Sequence, residues 1–407
     1  MNDMARWARL SLVLGLVLLA GCGSGAPARR VVPRRPTSLR ACALKDRLSA
    51  GVPFAGWHMG AIHFLSAAVG IGVSAAALPC DEPVRGGFEV SPRAVPVRLA
   101  ISRDGGRRWL LAGRALPIAP TADPVVAEQV VASSLTRAWV LTGRGTVLST
   151  GDGGSTWTTQ PLPHPVLQLA LGEGVVWALA CPPTVEFLCR PVLERTRGPG
   201  GAWVRVATPP LTSEPDPQLA LASGEAIVIA TGAHPDGPGE LVSSTDGGRH
   251  WVKRQDPSWA GGPCTGSSGL ATAGASRWWL LCLGAPAAGS STLALLGTAD
   301  AGRTWKTLSQ VTSLASPERP GAIPPALPTS FAAGSPRRLW LADLNLLAES
   351  ADGGSSWTRA DDVDPEGASA AFDVLSPARA WLLAAGEGMW ATSDGNRWRA
   401  ISPPHTG

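Results

Sequence analysis

SRDGGRRW (Ser102–Trp109), TGDGGSTW (Thr150–Trp157) and STDGGRHW (Ser244–Trp251) are copies of one pattern, S/T-x-D-x-G-x-x-W. TADAGRTW (Thr298–Trp305) and SADGGSSW (Ser350–Trp357) are two more copies. A degenerate copy starts at residue 196, and a copy that is one residue short starts at residue 392. Successive copies start 42 to 54 residues apart. This period is typical of a circular or solenoidal array, in which no unit can bury its apolar face without neighbours.

The pattern suits a tight turn between two strands. An aspartate at the head of a turn accepts hydrogen bonds from backbone N–H groups one to three residues further on, and the next glycine permits a positive φ. The Ser or Thr hydroxyl can bond across the mouth of the loop, while the tryptophan places a large apolar surface between sheets. We therefore predict structural roles for Asp104, Asp152, Asp246, Asp300, Asp352, Asp394, Trp109, Trp157, Trp203, Trp251, Trp305, Trp357 and Trp398.

Short β-rich runs separated by turns surround each copy. In residues 127–160 they predict a four-stranded antiparallel blade, and the same plan recurs in the other repeats. The repeats cover residues 57–113, 166–206, 218–254, 269–308, 329–360 and 369–401. A further tryptophan marks the presumed second strand in five of the repeats, at Trp139, Trp177, Trp279, Trp340 and Trp381.

The repeated pattern resembles the Asp-box (BNR) family of β-propellers, which includes sialidases, sortilin ectodomains and photosystem II assembly factors. The resemblance covers about residues 57–401. It implies an all-β fold, a seven-bladed β-propeller of four-stranded antiparallel blades with Asp-box turns. It also implies that these turns are structural and lie on the rim. The run Ser376–Trp381, S-P-x-x-A-W, looks most like the photosystem II assembly-factor type, which implies a scaffold or assembly role.

The degenerate copy, Thr196–Trp203, has Gly198 at the aspartate position. Because Gly198 has no carboxylate to cap the turn, we expect the third blade to be the least rigid. A disulfide between Cys181 and Cys189 would lie nearby and compensate.

The N-terminal residues are predicted to be a targeting signal. Arg6 and Arg9 precede an apolar run, Leu10–Ala20, whose helical length of about 17 Å is too short to cross a bilayer. The tetrad LAGC resembles the bacterial lipobox, which implies cleavage before Cys22 and lipidation of its thiol. Ordinary secretion with an unmodified cysteine is the alternative.

The chain is thus divided into a lipoprotein signal peptide (1–21), the lipidated cysteine with a flexible basic tether (22–40) and the propeller (41–407). This division predicts a protein of the bacterial cell envelope that is lipid-anchored to the membrane on the extracytoplasmic side. Export also fits the cysteine count, because the six cysteines other than Cys22 can form disulfides in an oxidising compartment. The candidate pairs by proximity are Cys42 with Cys80, Cys181 with Cys189, and Cys264 with Cys282, although about 15 pairings are open.

Several function classes are disfavoured. The precursor carries a net charge of only +4, so we expect no nucleic-acid partner. Trp57, His58 and His63 form a small cluster, but no further histidine stands at ligand spacing, so we expect no metal site and no cofactor. The expected partners are the membrane, through the N-terminal lipid, and a protein at one propeller face. A glycan is the alternative ligand, and the expected state is a monomer.

Sialidase chemistry conflicts with the residue inventory. The resemblance implies a tyrosine nucleophile for a sialidase, and this chain contains no tyrosine. An inverting glycoside hydrolase needs only two carboxyls, and Asp343, Asp373 and Glu387 are candidates in or beside inner strands. Nothing in their spacing marks a pair, so a non-catalytic binding propeller is the preferred interpretation.

The surface should separate these alternatives. A glycan binder or glycosidase should place tryptophans and carboxylates together at a channel mouth, whereas a scaffold should have an apolar or arginine-lined face without paired acids. The tryptophans considered as exposed platforms, although packing is the more common role, are Trp57, Trp259, Trp278 and Trp390.

Overall fold

The structure is a computed structural model that describes residues 53–54, 59–74, 97–118, 127–182, 190–207, 209–211, 217–223, 225–231, 239–254, 266–284, 292–314, 317–360, 362–363, 365, 370–384 and 388–402. The predicted signal peptide, Cys22 and the tether lie outside these residues. The described part of the chain contains 29 β-strands and no α-helix. Accordingly, no helix within it is long and apolar enough to cross a membrane.

The strands form seven sheets. Blade 1 contains β2 (Met59–Phe64), β3 (Gly70–Ser74), β4 (Leu99–Ser102) and β5 (Trp109–Ala112), with β1 (Pro53–Phe54) paired to β5. Blade 2 contains β6 (Ala127–Ala132), β7 (Ala138–Thr142), β8 (Val147–Thr150) and β9 (Thr158–Thr159). Blade 3 contains β10 (Val166–Gly172), β11 (Val175–Ala180), β12 (Val192–Thr196) and β13 (Val204–Arg205). Blade 4 contains β14 (Gln218–Ser223), β15 (Ala226–Ala230), β16 (Leu241–Ser244) and β17 (Val252–Arg254).

Blade 5 contains β18 (Gly266–Thr272), β19 (Trp278–Leu283), β20 (Leu293–Thr298) and β21 (Lys306–Val311). Blade 6 contains β22 (Ser330–Ala333), β23 (Leu339–Ala342), β24 (Leu347–Ser350) and β25 (Thr358–Arg359). Blade 7 contains β26 (Ala370–Ser376), β27 (Arg379–Ala384), β28 (Gly388–Thr392) and β29 (Trp398–Ser402). In every blade these four strands pair antiparallel in chain order. The predicted seven-bladed propeller is confirmed.

The second strand of a blade is almost uniformly apolar because it is covered on both faces. All five residues of β7, AWVLT, and all five of β15, AIVIA, are buried. By contrast, β9 and β25 at the outer edge have only two residues each, and these are exposed. Short outer strands leave little free edge for pairing with another chain.

The core lies between the blades. Each of seven apolar clusters among the described residues combines side chains from two adjacent blades, including one between blades 7 and 1. The tryptophans of the second strands are central to this packing. Trp139, Trp177, Trp279, Trp340 and Trp381 are each at most 2% exposed. An isolated blade would lose these contacts, which is why the repeats form a closed array.

Among the described residues, the ring closes by packing, and no strand is exchanged between the first and last blades. All four principal strands of blade 1 and all four of blade 7 are contiguous in sequence, and β26 packs directly on β2. A carboxylate oxygen of Asp373 on β26 accepts a hydrogen bond from the backbone N–H of Phe64 on β2. The Phe64 ring stacks on Trp381 of blade 7, with centroids 3.6 Å apart.

Candidate functional site

The repeated turns have a common hydrogen-bond pattern. We call the six copies that contain an aspartate the aspartate turns; each joins the third strand of its blade to the fourth. In blade 1 the Ser102 hydroxyl donates to Asp104 Oδ1 (3.0 Å) and accepts from the N–H of Gly106 (2.8 Å). Asp104 Oδ1 also accepts from the N–H of Arg108 (2.9 Å). The hydroxyl and the carboxylate together satisfy the polar groups of the loop.

The aspartates accept hydrogen bonds from N–H groups further along the chain than the sequence predicts. In five of the turns the carboxylate accepts from the N–H four residues further on, not only from groups one to three residues on. The short turn of blade 7 is the exception, because Asp394 accepts from the N–H groups of Asn396 and Arg397. Because this turn is one residue shorter, its carboxylate accepts from the N–H groups two and three residues further on, and not from the fourth.

These bonds favour the ionised aspartates. The side-chain and backbone hydrogen bonds from Thr156 lower the pKa of Asp152 to about 2. Bonds from His250 and Thr304 lower the pKa of Asp246 and Asp300 in the same way. The carboxylate of each aspartate turn is thus bonded within its own turn, and in the part of the chain that the structure describes no two of these six carboxylates share a pocket.

The tryptophans that end the copies pack to different depths. Trp109, Trp357 and Trp398 are at most 4% exposed. Trp157, Trp203, Trp251 and Trp305 are partly buried against the apolar clusters.

The degenerate turn of blade 3 is supported by blade 2. The N–H of Gly200 donates to the hydroxyl of Ser149 (3.1 Å), and the indole N–H of Trp203 donates to Gln160 Oε1 (2.8 Å). The amide of Gln160 in turn donates to Ser149 (2.7 Å). The missing carboxylate is therefore replaced by a polar contact from the neighbouring blade.

A contact between blades was not anticipated from the sequence. The indole N–H of Trp381 donates to the carbonyl of Gly105 (3.0 Å) in the aspartate turn of blade 1. Trp279 donates to Gly353 (3.0 Å) and Trp340 donates to Gly395 (3.3 Å) in the same way. The sequence shows that tryptophan recurs in the second strand. It does not show the hydrogen-bond partner of the indole, because that partner lies in the next repeat.

The carboxylates considered for a glycosidase have structural partners. Asp343 Oδ1 accepts from the N–H groups of Asn345 (2.7 Å) and Leu346 (3.1 Å), which caps a hairpin. Asp373 helps to close the ring, and Glu387 lies outside the described residues.

The other predicted positions are distributed as follows. Trp278 and Trp390 are 2% and 4% exposed, so neither is the platform considered from the sequence. Trp57, His58 and Trp259 lie outside the described residues. Cys181 and Cys282 are each disulfide-bonded. The other predicted disulfide cysteines, Cys42, Cys80, Cys189 and Cys264, lie outside, so the three pairings stay a prediction.

One histidine joins three blades. His63 Nδ1 lies 3.3 Å from Asp373 Oδ1 of blade 7. Burial opposes the charged imidazole, but the hydrogen bond and charge of Asp373, with the backbone of Ala132 in blade 2, outweigh it and raise the pKa of His63 above 6.5. The closing contact therefore favours an ion pair.

A pocket of about 250 Å³ lies at the same junction, between the aspartate turns of blades 7 and 1. We call it the arginine pocket, because Arg107, Arg379, Arg397 and Arg399 line it. Arg379 begins β27 and is half-buried, whereas the other three are exposed. These arginines are far apart in sequence, and only ring closure brings Arg107 to the other three.

The charge of the pocket is strongly unbalanced. Among the described residues that line it, Asp104 is the one carboxylate against four arginines, which gives these side chains a formal charge of +3. Asp104 is already bonded to Arg108, whose Nε lies 2.9 Å from Oδ2. Within the described residues, none of the four lining guanidinium groups lies in an ion pair. Arg397 interacts with the charge of Asp394 but forms no ion pair with it. Guanidinium groups that are not held in an ion pair are suited to bind an anion.

The junction between blades 3 and 4 carries arginines that are neutralised. Arg249 occupies the same position in its turn as Arg107. Glu225 lies 3.7 Å from Arg249 and 3.9 Å from Arg195, measured between carboxylate oxygen and Nη1 in each case. The backbone carbonyl of Glu225 accepts from the turn N–H of Gly247, as that of Ala68 accepts from Gly105. Ala68 is thus the blade 1 equivalent of Glu225.

Comparison with known proteins gives likenesses in fold. No family model and no curated protein matches the chain. The solved structure "YCF48 bound to D1 peptide" is similar over 85% of this chain and 95% of that one, with a TM-score of 0.51 and 16% identity. YCF48 from Cyanidioschyzon merolae is similar over 85% and 99%, with a TM-score of 0.53 and 16% identity.

A glycoside hydrolase, the GH74 enzyme from Niastella koreensis, is also similar. This match covers 82% of this chain and 61% of that one, with a TM-score of 0.34 and 13% identity. The expected resemblance to assembly-factor propellers is therefore supported at the level of the fold.

Proposed function

We propose that the protein is a non-catalytic scaffold of the bacterial cell envelope that binds an acidic segment of a partner protein in the arginine pocket. The observation that carries this proposal is the group of four arginines around one cavity, with Asp104 already bonded elsewhere. For a scaffold, the expected surface is an apolar or arginine-lined face without paired acids. Carboxylates bind guanidinium groups through charge-assisted hydrogen bonds, so an acidic peptide segment matches the pocket.

The glycan alternative has less support. Sugar rings stack on exposed aromatic faces, but Trp381 at the pocket is only 2% exposed and its ring is covered by Phe64. The described candidates for a catalytic pair, Asp343 and Asp373, are held by structural hydrogen bonds. The first observation disfavours a glycan ligand at this pocket, and the second disfavours glycoside hydrolysis.

A protein ligand also agrees with one of the similar structures. The YCF48 structure is named as bound to a peptide, and its likeness to this chain concerns the fold. Propellers of this shape present turns and hairpins on two faces, which is suitable for peptide docking.

The proposed location rests on the lipobox-like tetrad before Cys22 and on the disulfide bonds of Cys181 and Cys282. Disulfides persist in oxidising compartments outside the cytoplasm. Replacing Cys22→Ser should release the protein from the membrane fraction into the soluble extracytoplasmic fraction. Unchanged membrane association of that variant would contradict the lipid anchor.

The binding proposal is tested with a fluorescein-labelled peptide that carries a run of glutamates. Arg379→Glu should weaken binding at least about tenfold, because it removes a cation and adds an anion inside the pocket. Arg303→Glu is the control for the change in net charge, since Arg303 is exposed and lies in the aspartate turn of blade 5, away from the pocket. Its affinity should stay within about twofold of the parent. Equal losses in both variants would show non-specific attraction and contradict the proposal, as would no measurable binding by the parent protein.

A further inference from the structure

The arginine pocket has an apolar floor beneath its cationic rim. Besides the arginines, the lining includes Ala67, Trp381, Ala391 and Ile401. Ala391 and Ile401 are half-buried, so part of their surface faces the cavity. A ligand that carried only carboxylates would leave this apolar surface in contact with water.

The floor is held rigidly. Trp381 is fixed by its bond to the carbonyl of Gly105 and by its stack on Phe64. A Cβ built on Gly106 would lie 2.8 Å from Cδ1 of Ile401, so the blade 1 turn already fits closely against that side chain. A preformed apolar surface can bind an apolar group without first paying the entropy of ordering itself.

The size of the pocket limits the ligand. Sites for drug-sized molecules have volumes of about 300–1,000 Å³, and this pocket has about 250 Å³. It can take one or two side chains of an extended segment.

From this arrangement, and resting on the proposed function, we propose that the pocket selects an acidic residue together with a medium-sized apolar residue, such as leucine, two positions away along the chain (i and i+2). The carboxylate lies among Arg379, Arg397 and Arg399, and the apolar side chain covers Ala391 and Ile401. Adjacent residues of an extended chain point to opposite sides, whereas residues i and i+2 point to the same side and can enter the pocket together. The test peptides therefore carry the two residues at positions i and i+2.

The test uses three labelled peptides of equal length in fluorescence anisotropy with the full-length chain. One peptide contains glutamate and leucine, the second contains glutamate and serine, and the third contains glutamine and leucine. The glutamate–leucine peptide should bind about tenfold more tightly than the glutamate–serine peptide, since several buried CH₂ groups are gained. It should also bind at least about tenfold more tightly than the glutamine–leucine peptide.

Substitution of the floor gives the second comparison. Ile401→Thr should reduce the preference for leucine over serine to about threefold or less. Ala391→Ser is the milder variant if Ile401→Thr lowers the melting temperature, and it should reduce the same preference.

The outcomes separate the two proposals. Equal affinities for the two glutamate peptides would overturn the selection of an apolar residue and leave the proposed function intact. No binding of either glutamate peptide would overturn the proposed function itself. Equal binding of the glutamate–leucine and glutamine–leucine peptides would overturn both, because the arginines would then have no role.

Discussion

The turns of blades 1 and 4 contain the same arginine and have different surroundings. Arg107 and Arg249 each follow the second glycine of an aspartate turn. In blade 4 the hairpin residue that contacts the turn is Glu225, which lies beside Arg249, whereas in blade 1 that residue is Ala68. The hairpin residue beside the shared arginine is thus an alanine at one junction and a glutamate at the other. The junction of blades 7 and 1 also has three arginines from blade 7, Arg379, Arg397 and Arg399, around its pocket. The repeated sequence therefore determines the conformation of the turn, whereas the residues packed around the turn determine the net charge beside its arginine.

The largest effect is expected when blade 1 is given the blade 4 arrangement. Ala68→Glu should place a carboxylate beside Arg107 and weaken binding of the glutamate peptide about tenfold. Ala68 is exposed, so the melting temperature should change little. Thr136→Glu, at the equivalent position in blade 2, is the control and should leave the affinity unchanged. An unaffected affinity in Ala68→Glu would mean that Arg107 is not part of the site.

The tryptophans behind the two turns allow a second comparison. Trp381 donates to Gly105, whereas Nε1 of Trp177 is buried without a hydrogen-bond partner among the described residues and Arg195 lies 5.4 Å above its ring. Replacing Trp381 by phenylalanine should therefore lower the free energy of unfolding by about 1 kcal/mol more than Trp177→Phe. Denaturant titration of both variants measures the difference. Equal losses would mean that the bond between blades contributes nothing beyond packing.

The two junctions should also respond differently to pH. The raised pKa of His63 means that its contribution to stability is fully present below about 6.5 and is lost as pH rises through the higher folded-state value. The free energy of unfolding should thus fall as pH rises above about 6.5, and His63→Gln should flatten this fall. The aspartates with lowered pKa act oppositely, since their contribution is lost only as pH falls below about 4. Parallel pH profiles for parent and variant would contradict the role given to His63.

The smallest effect is expected from the ion pairs of blade 4. Glu225→Ala should change the free energy of unfolding by less than about 0.5 kcal/mol, because its contacts are long and Glu225 and Arg249 are exposed. Thermal unfolding of the variant checks this value. A loss above about 1.5 kcal/mol would show that Glu225 holds the junction together and does more than neutralise it.

The blades and their turns could be predicted from the sequence because they depend on local patterns. The eight-residue copies, the apolar second strands and the recurring tryptophans all lie within one repeat. The arginine pocket could not be reached in this way, because Arg107 and Arg379 meet only where the last blade packs on the first. The role of Asp373 was missed for the same reason. Its partners, His63 and Phe64, lie at the opposite end of the chain.

The most direct test of the account is to locate a bound acidic peptide by photo-crosslinking. A glutamate–leucine peptide with a photoreactive group beside the glutamate would be crosslinked to the full-length chain, and the modified residues would be identified by mass spectrometry. The account predicts crosslinks within residues 103–108 and 379–401, with loss of these crosslinks in Arg379→Glu and retention in Arg303→Glu. Crosslinks concentrated on the inner strands β6, β10 and β14 would place the peptide in the central channel and contradict it.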